Sequence, residues 1–170
     1  MNVQNPQSFA APGEVTVAGG RMQVVFHRSY ARPIAKVWSA LTTPERLEDW
    51  FGAARVDLRQ GGTIQFTYPN GYSVDMKIFR LEPERALGWT WHLDGVDTQV
   101  LFELTPTDRG CDLALTHSGL DIHGAASGVR MGWHAHLEGL VDALDGRATP
   151  WSVKTEREKA LAPLYPKLAG

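Results

Sequence analysis

Hydrophobic and polar positions alternate with a period of two through most of residues 21–117, then switch to a helical period near the end of the chain. A period of two puts one set of side chains on each face of a strand. Met22, Val24 and Phe26 alternate with Gln23, Val25 and His27 in a predicted strand over 21–30. Val56 and Leu58 mark a second, and Ile64, Phe66 and Tyr68 a third. Val74, Met76 and Ile78 share a face in the fourth, and Leu87, Trp89 and Trp91 in the fifth. Val100, Phe102 and Leu104 share a face in the sixth, and Cys111, Leu113, Leu115 and His117 in the seventh. Gly61-Gly62, Asn70-Gly71, Asp94-Gly95 and Arg109-Gly110 supply turns between them, and connections this short predict an antiparallel meander. Asn70-Gly71 predicts a two-residue type I′ hairpin, which needs φ > 0 at both central residues.

The helical period runs through Val129, Trp133, Leu137, Leu140 and Leu144, predicting a helix over about 125–145 closed by Gly146 at C′. It is the one predicted element long enough to cover a sheet. Two short helices are predicted after the first strand. One has Pro33 at N1 and contains Val37, Trp38 and Leu41; the other is capped by Thr43, has Pro44 at N1, and runs through Leu47 to Trp50. Residues 1–19 lack periodicity and read as a flexible arm; 20–146 read as one domain; 147–170 read as a tail with a short helix over about 152–161, docking on the domain or on a partner. The fold class is α+β: a seven-stranded antiparallel sheet wrapped around a long C-terminal helix.

Several segments together resemble the Bet v-type, START-related (SRPBCC) superfamily, and within it the family of homologues of the activator of heat-shock protein ATPase. They are ARPIAKVWSALTTPERLEDWFG at 31–52, DLRQGGTIQF at 57–66, RALGWTWHL at 85–93, CDLALTHSGL at 111–120 and GWHAHLEGLVDAL at 132–144. The resemblance spans about 21–146 and implies a helix-grip fold, often with an apolar cavity between sheet and helix. Its relatives include co-chaperone domains, lipid or hormone binders and polyketide cyclases, so the fold alone does not assign an activity. The eukaryotic activators add a separate chaperone-binding domain, for which these 170 residues leave no room.

Composition narrows the partners. Lys+Arg 17 against Asp+Glu 19 gives a near-neutral chain without a basic footprint for nucleic acid. No apolar run reaches a membrane-spanning length of ~18 residues, and the first residues show neither a basic n-region nor an apolar h-region, so a cytoplasmic protein is expected. Cys111 is alone and predicted inward, which reads as a buried, inert thiol. No metal, phosphate or dinucleotide motif occurs, and no cofactor is expected.

The predicted ligand-lining residues are Trp50, Phe51, Phe66, Tyr68, Met76, Trp89, Trp91, Phe102, His117, Trp133 and Leu137. Such a wall suits a small hydrophobic molecule. His117 continues an apolar face and is the one inward group able to act as acid or base near neutral pH. His92 is expected in solvent, His134 likewise, and His136 beside the core stripe. Strand carboxylates Asp57, Asp75, Glu103 and Asp112 fall on outward faces, leaving no inward acid–base pair and no catalytic residue assigned. The leading expectation is a hydrophobic-ligand binder. The alternatives are a cyclase- or hydrolase-like enzyme using the same cavity, and a chaperone-linked interaction module using the tail; a homodimer is left open.

Overall fold

The computed structural model describes residues 10–93, 95–123 and 126–168. Two predicted features fall partly outside them: Asp94 of the Asp94-Gly95 turn, and position 125 at the start of the long helix. The elements run β1 (Glu14–Ala18), β2 (Arg21–Tyr30), α1 (Ile34–Thr42), α2 (Pro44–Trp50), β3 (Ala53–Val56), β4 (Thr63–Thr67), β5 (Ser73–Glu82), β6 (Ala86–Leu93), β7 (Val96–Thr107), β8 (Gly110–Asp121), α3 (Ala126–Leu144) and α4 (Trp151–Leu161), with a 3₁₀ turn at Ala162–Leu164. The strands form one antiparallel sheet in the order β1-β2-β8-β7-β6-β5-β4-β3. After β2 the chain crosses through α1 and α2 to the opposite edge, then returns strand by strand until β8 pairs with β2. This is the helix-grip arrangement, with α3 packed on one face of the sheet through Trp133 against His117 and Phe102. No described helix is long and apolar enough to cross a membrane.

The sheet has eight strands where seven were expected. Glu14–Ala18, read as part of a flexible arm, pairs with β2 from Ala18↔Arg21 to Glu14↔Val25. This edge strand leaves Val17 50% exposed, so its short alternation carries little burial signal. Its turn, Gly19-Gly20, has φ of 57° and 71° and is the type I′ connection. Asn70-Gly71 is not one, because only Gly71 has positive φ there. Pro69 locks its own φ negative, so the chain makes a type I turn closed by Gly71 N–H to the Tyr68 carbonyl, with Gly71 as the bulge residue. Leu58 also departs from expectation. Asp57 N–H bonds the Thr63 carbonyl and Arg59 N–H turns back to Asp57, so β3 ends at Val56 and Leu58 is exposed. Pro33 is the N-cap of α1 rather than N1, and Thr43 holds the N-cap position of α2 while its hydroxyl pairs with Ser39 instead of the helix backbone.

The predicted stripe of α3 is largely buried at Trp133, Leu137, Leu140 and Leu144, with Val129 partly buried. Gly146 N–H to Ala143 and Arg147 N–H to Asp142 close the helix in a Schellman motif. The tail then folds back onto α3, where Leu161 and Tyr165 are buried. Asp142 gathers Arg157 at 2.7 Å and Thr149 at 3.0 Å, and Arg130 donates to the Pro166 carbonyl at 2.8 Å. This docking corrects the expectation for His134. The tail covers it completely, and Tyr165 hydroxyl lies 2.6 Å from its Nδ1.

His117 pins helix to sheet. Trp133 Nε1–H donates to its Nδ1 at 2.9 Å, so the ring proton sits on Nε2, 2.7 Å from Thr98 Oγ1. Thr98 in turn donates to the Trp91 carbonyl at 2.6 Å. Burial lowers the His117 pKa to about 3. His136 is lowered to about 3 as well, by burial first and then by the nearby charge of Lys154.

Two predictions follow from this packing. Both histidines stay neutral in the fold while the unfolded chain protonates them near 6.5, so the unfolded state binds more protons throughout the interval from about 6.5 to about 3. Stability is therefore fully present above that interval and falls through it on acidification, by about 2 kcal/mol per histidine between roughly pH 7 and pH 5. Urea melts at the two pH values test this, and equal midpoints would contradict it. The second prediction concerns Gly52, whose φ is 146° and where a Cβ would meet the Phe66 ring at 1.8 Å. Gly52→Ala should cost about 2–3 kcal/mol as overpacking added to backbone strain, against about 1 kcal/mol for Gly71→Ala, which opens onto free space. Equal costs would mean that Phe66 yields freely.

Candidate ligand-binding interior

Pro44 starts α2 and brings Trp50 and Phe51 over the sheet. Trp50 is the anchor. Its indole N–H donates to the Ala40 carbonyl at 2.8 Å, and its own carbonyl accepts His136 Nδ1–H at 3.1 Å, joining α1, α2 and α3. Phe51 occupies the middle of the interior. Its ring centroid lies 4.8 Å from Phe66 on β4, 4.9 Å from His136, and 6.0 and 6.2 Å from Trp89 and Trp91 on β6. Against α3 it stacks on Trp133 at 5.7 Å with planes 19° apart. Phe102 on β7 packs beneath Trp89 and Trp133.

Of the eleven residues predicted to line a site, Trp50, Phe51, Phe66, Met76, Trp89, Phe102, His117, Trp133 and Leu137 are buried, while Tyr68 and Trp91 are partly buried. The aromatic members meet in this one cluster. His117 has both ring nitrogens engaged, so it lacks a free lone pair or an unshared proton for acid–base work. Within this cluster the indole N–H groups of Trp89 and Trp91 are both buried with no acceptor. They stand two apart on β6 and so on one face, and an unmade buried bond costs about 1–3 kcal/mol. Among the described residues, no three His, Cys, Asp or Glu side chains group as metal ligands.

Beside Trp50 a cleft of about 330 Å³ opens between the β4–β5 turn and the tail, walled also by Gly52, Tyr68, Pro69, Pro150 and Trp151. Trp151 meets Tyr68 edge-on at 5.9 Å and lies 6.3 Å from Phe66. Lys154 Nζ sits 4.5 Å from the Trp151 centroid and pairs with Glu158 at 2.6 Å. Burial holds the Tyr68 hydroxyl above its usual pKa, so it remains a donor. Sequence reasoning missed Trp151, Lys154 and the central position of His136. A signal for Trp151 was present: an aromatic directly after Pro150, at the head of an otherwise polar helix, has no solvent role.

The family model for Activator of Hsp90 ATPase homolog 1-like protein matches residues 31–145. Among solved structures, MLL2253 from Mesorhizobium loti is 31% identical, with a TM-score of 0.68, and the match covers 72% of this chain and 96% of that one. CalU16 from Micromonospora echinospora is 29% identical, with a TM-score of 0.68 and coverage of 91% and 94%. DynU16, a putative protein in the dynemicin biosynthetic locus, shares the fold at 24% identity and a TM-score of 0.67, over 74% of this chain and 48% of its own. No match was found among curated proteins. With most of the helix-grip domain matched by the family model, and with these neighbours of the same architecture, the chain belongs to the Activator of Hsp90 ATPase homolog 1-like family.

Proposed function

We propose that this protein binds a small, flat, hydrophobic molecule carrying a hydrogen-bond acceptor, such as an aromatic ketone, between its sheet and α3. The observation that carries the reading is the pair of buried, acceptorless indole N–H groups on Trp89 and Trp91. An apolar wall alone is ordinary core. Two buried donors without partners on one face of that wall are costly unless something else supplies the acceptor. In this reading Phe51, at the centre of the aromatic cluster, yields to the ligand, which enters from the cleft walled by Trp50, Gly52, Tyr68 and Trp151. Met76 and Leu137 complete the apolar walls. Binding without turnover fits His117, which burial holds neutral with both ring nitrogens bonded within the fold, and His136, which burial holds neutral with its Nδ1–H on the Trp50 carbonyl.

A displacement assay with an anilinonaphthalene sulfonate dye tests this with two matched competitors, a naphthyl methyl ketone and the corresponding ethylnaphthalene. The ketone should bind about fivefold more tightly, the worth of one net hydrogen bond of about 1 kcal/mol. Replacing both donors, Trp89→Phe together with Trp91→Phe, should erase that preference and leave the hydrocarbon's affinity in place. Equal binding of both competitors to the native protein would remove the donor argument, and binding of neither would remove the function. Consumption of the ketone would establish an enzyme instead.

A further inference from the structure

The tail helix α4 walls one side of the cleft, and its attachment to α3 differs from the rest of the core. Between Trp151 at its head and Leu161 at its end, the α4 residues that lose solvent are Lys154, Thr155, Arg157 and Glu158, while Val153 is 40% exposed. The contact is therefore polar. Arg157 donates to Asp142 of α3 at 2.7 Å, and Lys154 pairs with Glu158 at 2.6 Å. The Glu158 carboxylate rests where Gly132 of α3 leaves room, since a Cβ there would lie 3.1 Å from it. The loop leading into α4 is held in the same way. Thr149 and Arg147 donate to the Asp142 carboxylate at 3.0 and 2.9 Å, and Thr149 N–H bonds the Asp49 carbonyl at 2.7 Å.

The far end of the tail is anchored by burial instead. Leu161 is fully buried, Tyr165 is buried against His134, and Arg130 holds the Pro166 carbonyl. Partly exposed polar contacts, such as Arg157 with Asp142, exchange for water at small net cost, whereas apolar burial does not. The weakly held head carries the ring nearest the interior: Trp151 lies 6.3 Å from Phe66, itself 4.8 Å from Phe51. Gly146, with φ of 80°, ends α3 ahead of the loop, so the loop can turn without bending α3. We propose that residues 147–150 and the first turns of α4 form a lid over the cleft, latched at Asp142 and pivoting on Leu161 and Tyr165. What the lid admits rests on the ligand reading above; its motion has a readout of its own.

Hydrogen exchange of the full chain and stopped-flow binding of the anilinonaphthalene sulfonate dye test this together. Asp142→Asn keeps the shape of the side chain and the backbone bond that closes α3. It should speed exchange at residues 152–158 about tenfold, leaving 161–165 unchanged, as three charge-assisted contacts are weakened. The dye's association and dissociation rates should both rise about tenfold, with its affinity within about twofold of native. Arg157→Gln, the milder variant, should act in the same direction by about threefold. The two variants change net charge in opposite senses, so acceleration by both is not attraction of the anionic dye. Native exchange in both folded variants overturns the lid, as does dye binding at native rates. Faster exchange that extends equally through 161–165 overturns the pivot. Faster exchange confined to 152–158, in a protein that binds no dye in any form, upholds the latch and overturns the ligand reading instead.

Discussion

The bond from the Trp133 indole N–H to His117 Nδ1 is the constraint on which the interior depends. It joins α3 to β8 through two fully desolvated side chains, and removing either leaves the other unsatisfied at a cost of about 1–3 kcal/mol. Its effect is also directional. By accepting at Nδ1, His117 must present Nε2–H to Thr98, and Thr98 must then turn its proton to the Trp91 carbonyl. The Trp91 ring stacks on the imidazole at 5.8 Å with planes 9° apart. Helix position, imidazole tautomer and indole orientation are thus set together, and the Trp91 N–H has no freedom to seek an acceptor of its own.

Around this pin, parts of the chain outside the repeating strands serve the interior. The crossover after β2 delivers Trp50 and Phe51 over the sheet, and Gly52 lets the backbone pass against Phe66 where any side chain would collide. The tail adds Trp151 to one side of α3 and seals the other with Tyr165, whose hydroxyl also accepts the Gly13 N–H and so ties both ends of the chain to His134. The cleft at Tyr68 has a wall, Trp151, that reaches beyond the stretch matched by the family model.

Most of the sheet was legible because a half-buried antiparallel strand writes its two faces into alternate residues; β2 and the inward sets of β6, β7 and β8 were read in register. Reading failed where burial does not alternate or where a distant segment decides it. β1 lies at an edge with Val17 in solvent, and Asn70-Gly71 yields its turn type to Pro69. His134 reads as solvated on a bare helix and is buried only because the tail returns over it. The aromatic members of the candidate site were legible as inward residues by parity. That His117 is locked by Trp133, that Phe51 fills the centre, and that the indoles of β6 find no acceptor in the cluster all depend on pairings across long sequence separations, which periodicity does not carry.

The central claim is that the Trp89 and Trp91 donors await a ligand acceptor while the Trp133 donor is already spent on His117. Proton–nitrogen correlation spectra of the indole groups, recorded as the naphthyl methyl ketone is added, read this directly. The account predicts that the Trp89 and Trp91 indole signals move downfield and saturate together, while the Trp133 signal stays within its ligand-free range. Movement of Trp133 with Trp89 and Trp91 left in place would contradict it.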